Sequence, residues 1–222
     1  MGTLYLVRHG QASFGADNYD QLSALGHRQC LRLGEYLRAR GLRFDAVHTG
    51  TLQRHHQSYA AIAEGLQVRA EAQAWPGLNE YDSAALIATV HPGALDRPTT
   101  PEAVRHHFRL LRQGLQQWME GRTQPVGMPG YQDFRDGVAA ALDHVRLQHT
   151  GDVLLVSSGG PISTAVGLIL GTAPAVTIDL NMRMRNSALS EFAFTPKRHM
   201  LATFNTLPHL DDEAHRGWVT FA

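Results

Sequence analysis

The sequence contains one cysteine, Cys30, so an internal disulfide framework is excluded. Its apolar stretches are all far shorter than the roughly 20 residues that a membrane-spanning helix needs. The amino terminus begins with a strand-like segment at 3–8, without a basic region followed by a long apolar run. From these absences we expect a cytoplasmic protein that has no membrane partner.

The chain also lacks an excess of charge of either sign. Lys and Arg total 20, and Asp and Glu total 20, so the formal net charge is zero. No strong overall field attracts nucleic acid or an anionic surface, and any anion site must be a local group of basic side chains. The length of 222 residues and the hydrophobic content of 43% are sufficient for a packed core, and we predict a single domain over 1–222.

Apolar residues follow strand and helix spacing alternately along the chain. Strands are predicted at 3–8, 44–49, 67–74, 151–157, 188–194 and 199–205, and helices at 25–40, 51–66, 83–90, 101–120, 131–149 and 161–170. Because consecutive parallel strands need crossover helices, this order predicts a three-layer α/β/α sandwich with a mostly parallel sheet. The segment at about 91–150 is expected to supply covering helices and a helical cap or insertion.

Three loops follow strands of the predicted sheet, at 8–10, 49–51 and 157–160. The carboxyl ends of parallel strands share one edge of the sheet, where α/β proteins bind ligands. The first loop brings Arg8 and His9, and the helix after the second brings Arg54. The planar guanidinium suits phosphate oxygens, and nearby glycines let backbone N–H groups approach an anion. The convergence predicts a phosphate pocket in which His9 is the strong nucleophile.

Five stretches of the chain resemble, in order and spacing, the histidine phosphatase (phosphoglycerate mutase-like) superfamily. They are LYLVRHGQAS (4–13), LSALGHRQC (22–30), AVHTGTLQRHHQS (46–58), GLNEYD (77–82) and VLLVSSGGPIS (153–163). The resemblance implies that His9 attacks phosphorus and becomes phosphohistidine, that Arg8 and Arg54 bind the phosphoryl group, and that Glu80 protonates the leaving oxygen. It implies no cofactor, a small phosphorylated substrate or phosphate as ligand, and a possible homodimer.

The chain departs from the family pattern at two places. In the family the loop at 157–160 usually carries a second histidine in a pattern like SHGG, and this chain has Ser158 there, followed by Gly159 as a further candidate substrate-binding residue. A hydroxyl can bind a phosphate oxygen but lacks the charge of imidazolium, a loss of about 1 to 3 kcal/mol in the transition state. Restoring the histidine by Ser158→His is therefore expected to raise turnover. The stretch 11–15 lacks an asparagine typical of mutases, which favours a phosphatase.

Several alternatives remain open at this stage. Asp82 is a second candidate for the general acid, and Gln11 and Thr49 are candidate pocket-lining residues. A phosphate-binding regulatory protein with little turnover is the second functional hypothesis. A serine hydrolase is disfavoured because 156–160 has no G-x-S-x-G pattern, and a P-loop protein because no GxxxxGK[ST] pattern is present.

No metal site is expected from the histidine spacing. His55–His56 and His106–His107 are adjacent pairs on predicted helices, so the two rings of each pair point in different directions. We interpret them as part of a histidine-rich surface.

Overall fold

The computed structural model describes residues 1–13, 20–93, 95 and 100–221. Parts of the stretch 11–15 and of the predicted cap at about 91–150 therefore lie outside the described residues. The described strands are Gly2–Arg8 (β1), Ala46–Thr49 (β2), Gln73–Ala74 (β3), Val153–Ser157 (β4), Leu189–Thr195 (β5) and Arg198–Thr206 (β6). They form a sheet in the order β3-β2-β4-β1-β5-β6.

The sheet is mostly parallel, as predicted. β1, β2, β3 and β4 pair in parallel, and of the six described strands only β5 runs in the opposite direction. The register places Arg8 opposite Ser157 and Thr49 opposite Val156. The carboxyl ends of β1, β2 and β4 therefore lie side by side at one edge.

Helices cover both faces of this sheet. The described α-helices are Ala24–Ala39 (α1), Gln53–Leu66 (α2), Ser83–Ala88 (α3), Pro101–Met119 (α4), Tyr131–Gln148 (α5), Gly159–Leu170 (α6) and Pro174–Met182 (α7), with 3₁₀ helices at Pro76–Leu78, Pro208–Leu210 and Glu213–Trp218. α1 begins at Ala24, one residue before its predicted start, because the Ser23 side chain accepts a hydrogen bond from the Gly26 N–H. No helix in the described part of the chain is long and apolar enough to cross a bilayer.

Alternation along the strands separates two cores, one on each face of the sheet. On one face, strand residues pack against α1 and α2: Tyr5, Val7, Leu154 and Val156 with Leu33, Leu37 and Ile62. On the other face, strand residues pack against α5 and α6: Leu4, Leu6 and Leu155 with Val138, Val145 and Ile162. This arrangement confirms the three-layer sandwich, and α5 is one of the covering helices of its second outer layer. The single-domain assignment stays a prediction.

The structure differs from the predicted elements at three places: helix α7, the strand predicted at 67–74 and the start of α6. Helix α7 was not predicted, because its β-branched residues Val176 and Thr177 have low helix propensity and burial of Ile178 decides its conformation. The predicted edge strand at 67–74 is reduced to Gln73–Ala74, and Gln67 ends α2 in the left-handed region with φ of 60°. Helix α6 begins at Gly159, two residues before the predicted start at Pro161.

Candidate active site

His9 lies directly after β1 and is almost completely buried, with 2% of its surface exposed. Its backbone N–H donates to the Ser157 carbonyl at 2.8 Å. The ring Nδ1 lies 2.7 Å from the Gly10 carbonyl oxygen. A carbonyl can only accept a hydrogen bond, so Nδ1 carries the proton and Nε2 keeps its lone pair. The neutral ring is thus in the tautomer in which Nε2 can act as a nucleophile.

Burial is the main cause that lowers the pKa of His9 well below its usual value, and the positive charges of Arg8 and Arg54 lower it further. His55 lies in the same neighbourhood, and positive charge on its ring lowers the pKa of His9 by a smaller effect in the same direction. The imidazole of His9 is therefore neutral through the physiological pH range, as nucleophilic attack requires.

The loop that carries His9 contacts both α1 and α2. The Gly10 N–H donates to Ser58 Oγ at 3.0 Å, and Ser58 in turn donates to the Arg54 carbonyl at 2.7 Å. A Cβ at Gly10 would lie 2.3 Å from the Gly26 carbonyl oxygen, so no larger residue fits this position. The first loop and the first turn of α2 are thereby held together.

Both arginines are fixed by oxygen acceptors that the sequence did not reveal. Arg54, 7% exposed, forms an ion pair with Asp20 at 2.8 Å, and the same carboxylate accepts the backbone N–H groups of Gln53 and Arg54. Arg8 donates to the carbonyls of Met184 and Phe221, the second at 2.8 Å. Because their positions are set by these partners, little side-chain entropy remains to be lost when an anion binds.

Glu80 lies between the 3₁₀ helix Pro76–Leu78 and α3. Its carboxylate oxygens accept the Gly160 N–H at 3.1 and 3.2 Å. Burial raises the pKa of Glu80 and outweighs the opposing effects of the Gly160 hydrogen bond and of Arg54 and Arg8. The elevated pKa favours the protonated form that a general acid needs.

Asp82, the alternative acid, has a structural partner instead. Its Oδ1 accepts the N–H groups of Ala84 and Ala85 at 2.8 and 3.1 Å, and it is the N-cap of α3. Its side chain is exposed, and its carboxylate already accepts two hydrogen bonds from the first turn of α3. The geometry therefore favours Glu80 over Asp82.

The loop after β4 approaches Glu80 so closely that only glycine fits. A Cβ at Gly160 would lie 2.1 Å from Glu80 Oε1, and one at Gly159 would lie 2.6 Å from Asn181 Oδ1. Asn181 also donates from Nδ2 to the Tyr81 hydroxyl at 2.7 Å. Asn181 belongs to α7, the unpredicted helix, so sequence reasoning gave no signal for its place beside this loop.

The largest correction to the sequence analysis concerns His55. It was expected on a histidine-rich surface, but the ring is fully buried and its centroid lies 5.8 Å from that of His9. Its Nε2 lies 2.7 Å from Ser158 Oγ. A Cβ at Gly50 would lie 2.2 Å from Nδ1 of this ring, so the glycine provides the space that the ring occupies. The signal available in the sequence was the position directly after Arg54.

His55 and Ser158 thus form a buried pair beside His9. Burial, together with the nearby charges of Arg54 and His56, lowers the pKa of His55 to about 3. The ring is neutral in the absence of an anion. Ser158 has no exposed surface, and its hydroxyl is hydrogen-bonded to His55.

Gln11 and Thr49, the predicted pocket-lining residues, differ in their surroundings. The Gln11 side chain accepts the Ser23 hydroxyl at 2.9 Å and its backbone N–H donates to Gln29 at 2.9 Å, so it braces the start of α1. Thr49 is fully buried at the end of β2, and its Oγ1 has no hydrogen-bond partner among the described residues. The histidine pair at 106–107 is only partly buried and lies on α4.

An α/β/α sandwich with two arginines, a neutral histidine and a carboxyl of raised pKa at one sheet edge defines a class of proteins suited to phosphoryl chemistry. The model of the histidine phosphatase superfamily (branch 1) matches residues 4–207. The chain therefore belongs to the histidine phosphatase superfamily, as its motifs implied.

Two sequence relatives are named as 2,3-bisphosphoglycerate-dependent phosphoglycerate mutases. The protein of Methylorubrum populi is 26% identical over 187 residues, which cover 79% of this chain and 82% of the relative. The protein of Bartonella quintana is 35% identical over 68 residues, which cover 28% of this chain and 33% of the relative. The latter match thus spans about a third of the relative's length.

Solved structures with the same fold are named as phosphatases. The phosphoserine phosphatase of Entamoeba histolytica in complex with 3-phosphoglyceric acid has a TM-score of 0.68 at 19% identity, over 95% of this chain and 100% of the other. The α-ribazole phosphatase of Shigella flexneri has a TM-score of 0.66 at 20% identity, over 92% and 96%. At these identities the likeness shows the fold, and the relatives together comprise both hydrolases and mutases.

Proposed function

We propose that this protein is a phosphatase that hydrolyses phosphomonoesters through a phosphohistidine intermediate on His9. The observation that carries the proposal is the state of His9: a buried neutral ring whose Nδ1 is held by the Gly10 carbonyl, which leaves the unprotonated nitrogen at Nε2. Two guanidinium groups lie close enough to influence its pKa. They supply the positive charge that equatorial phosphoryl oxygens require, so this chemistry needs no metal ion.

The proposed reaction has two displacements. In the first, His9 Nε2 attacks phosphorus, the bond from phosphorus to the ester oxygen breaks, and protonated Glu80 donates its proton to that oxygen. In the second, Glu80 as carboxylate takes a proton from water, the water oxygen attacks phosphorus, and the N–P bond breaks to release inorganic phosphate. Arg8 and Arg54 bind the phosphoryl oxygens in both steps. The backbone N–H groups of Gly159 and Gly160 directly follow Ser158 in the loop after β4.

The buried pair of His55 and Ser158 supplies the second imidazole of this site. Nε2–H of His55 can donate to Ser158 Oγ, which frees the hydroxyl proton for a phosphoryl oxygen. A bound dianion raises the pKa of a neighbouring imidazole, so charge can develop on His55, one hydroxyl away from the anion. In this proposal the ring missing at position 158 is replaced by one on α2.

Two single variants and one double variant at positions 55 and 158 test this role. His55→Ala is expected to lower kcat by about 10- to 100-fold, because about 1 to 3 kcal/mol of transition-state stabilisation is lost. For Ser158→His alone the sequence predicts a gain; because position 158 is fully buried against His55, we now expect a second ring there to crowd the pair and to lower turnover. The double variant His55→Ala/Ser158→His is expected to regain most of the lost activity. Steady-state kinetics with p-nitrophenyl phosphate give all three values.

The matched control for this series is His56→Ala, which removes an exposed ring one residue away on the same helix. It should leave kcat within about twofold of the parent. If His55→Ala behaves like His56→Ala, the ring contributes nothing to catalysis and the proposed role is rejected.

The role of Glu80 predicts a dependence on the leaving group. For an alkyl phosphate such as glycerol phosphate, whose alkoxide needs a proton, Glu80→Gln should lower kcat by about 10²- to 10⁴-fold. For p-nitrophenyl phosphate, whose phenolate leaves readily, the loss should be much smaller. Because the acid must be protonated, kcat of the parent should fall as pH rises through the raised pKa of Glu80, and this basic limb should vanish in the variant.

Asp82→Asn is the control, since it keeps a capping oxygen at α3 and leaves Glu80 unchanged. Its leaving-group dependence should match that of the parent. A loss in Asp82→Asn that is confined to alkyl phosphates would instead identify Asp82 as the acid.

Hydrolysis is favoured over mutase activity by the absence of the mutase-type asparagine at 11–15, of which 14 and 15 lie outside the described residues. Incubation with 3-phosphoglycerate distinguishes the two: release of inorganic phosphate supports the phosphatase, and formation of 2-phosphoglycerate supports a mutase. A regulatory protein remains the second candidate function. Phosphate binding without turnover on a panel of phosphomonoesters would favour it.

A further inference from the structure

Three histidines that sequence spacing did not connect come together at the face of the sheet covered by α5. His48 lies on β2, His144 lies near the end of α5, and His149 directly follows that helix. One ligand atom from each of the three side chains lies within 4.8 Å of those of the other two. Within the described ranges, no other group of three His, Cys, Asp or Glu residues has this arrangement.

The rings are spaced as ligands of one ion would be. Their centroids are 5.3 Å apart for His48 and His144, and 5.6 Å apart for each of the other two pairs. With Zn–N bonds of about 2.0–2.1 Å, a ring centroid lies about 3.2 Å from the ion, and tetrahedral angles separate the centroids by about 5.2 Å. The interplanar angles of 90°, 56° and 73° exclude stacking as the reason for the cluster.

The polar atoms of this cluster lack the partners that buried groups normally have. His48 is 3% exposed, and neither of its ring nitrogens has a hydrogen-bond partner among the described residues. The buried Nε2 of His149 also has no hydrogen-bond partner among them. Trp75 closes one side, with its ring 6.3 Å from that of His48 and 4.9 Å from that of His144. A bound cation would satisfy lone pairs that otherwise stay buried and unused.

The electrostatic surroundings suit a metal ion. The deep burial of His48 favours the neutral ring that a metal ligand must have. His144 and His149 are half-buried, which leaves a path for the ion and for a water molecule as a fourth ligand.

We propose that His48, His144 and His149 bind one transition-metal cation of the class that favours imidazole ligands, with Zn²⁺ as the representative ion. Its three residues are different from those of the phosphate pocket: His149 comes shortly before β4, whereas Ser158 follows the opposite end of that strand. The ion joins the end of α5 to β2 and stabilises the fold. This proposal does not depend on the phosphatase activity.

The test is titration of the full chain, first stripped with a chelator, with ZnCl₂ in a calorimeter, together with its Tm with and without the metal. The parent should bind one Zn²⁺ per chain and gain several degrees in Tm. His144→Gln and His149→Gln should each weaken Zn²⁺ binding by about 100-fold or more and remove the Tm gain. Both residues are half-buried at the surface, so the fold tolerates these changes.

His27→Gln, a half-exposed histidine on α1, is the matched control and should bind like the parent. His9→Ala should also retain binding, which separates this site from the phosphate pocket. With Co²⁺ in place of Zn²⁺, intense visible absorption typical of tetrahedral coordination should appear in the parent and be absent from His144→Gln. The proposal is overturned if the parent binds no stoichiometric Zn²⁺, or if binding persists in both triad variants.

Discussion

His9→Ala is expected to lower kcat for p-nitrophenyl phosphate by about 10⁴- to 10⁶-fold, the range observed when the nucleophile of a covalent mechanism is removed. The Ser158 hydroxyl does not take its place, because in the proposed site it accepts from His55 and donates to a phosphoryl oxygen instead of attacking phosphorus. The phosphate pocket keeps both arginines. Steady-state kinetics therefore should show the loss in kcat while phosphate still binds as a competitive ligand.

The control for this variant is His27→Ala, which removes an exposed ring on α1 and should leave kcat unchanged. Thermal unfolding of His9→Ala shows whether the fold is retained, since the lost contact of Nδ1 with the Gly10 carbonyl is one hydrogen bond of modest net energy. Retention of kcat within about tenfold in a folded His9→Ala protein would exclude His9 as the nucleophile.

Arg54→Ala should cause the second largest loss, about 10³- to 10⁵-fold in kcat, as is found when an arginine that stabilises a transferring phosphoryl group is removed. Arg54 is almost buried, and its guanidinium is held by Asp20. Its removal leaves a charge-deficient pocket and frees the pKa of His9 from one of the effects that lower it. Kinetics on p-nitrophenyl phosphate over a range of pH measure both consequences.

Arg54→Lys separates charge from geometry. Lysine keeps the positive charge but loses the planar fork that bonds two oxygens together, so we expect only part of the activity to return. Arg109→Ala, an exposed arginine on α4, is the control and should leave kcat unchanged. If Arg54→Lys matches the parent in kcat, bidentate binding at this position is not part of the mechanism.

The parts of the fold that follow a strong hydrophobic period were predictable. The strands β1 and β4 are short apolar runs that end in polar loops, and the order of strands and helices was enough to place those loops at one edge. Arg8, His9 and Arg54 could be brought together on this basis alone. The cap of α1 by Ser23 rests on local chemistry, which does not depend on the rest of the chain.

Features that depend on side-chain contact between distant segments could not be predicted in the same way. His55 looks like a surface residue in a polar stretch, and only the space beside Gly50 and the contact with Ser158 show its place. The cluster of His48, His144 and His149 joins β2 with the end of α5, a separation that no linear spacing rule covers. Tertiary packing decides such positions.

The central claim is that the phosphoryl group is transferred to the imidazole of His9 before it is transferred to water. Trapping of the labelled protein tests this claim most directly. Mixing the parent with a ³²P-labelled phosphomonoester and quenching within milliseconds should give label that is stable in base and labile in acid, as a phosphoramidate is. After digestion with trypsin, which cleaves after Arg8, the label should lie on the peptide that begins at His9. It should be absent from His9→Ala. Label that survives acid on the peptide containing Ser158, or no label during turnover, would contradict the account.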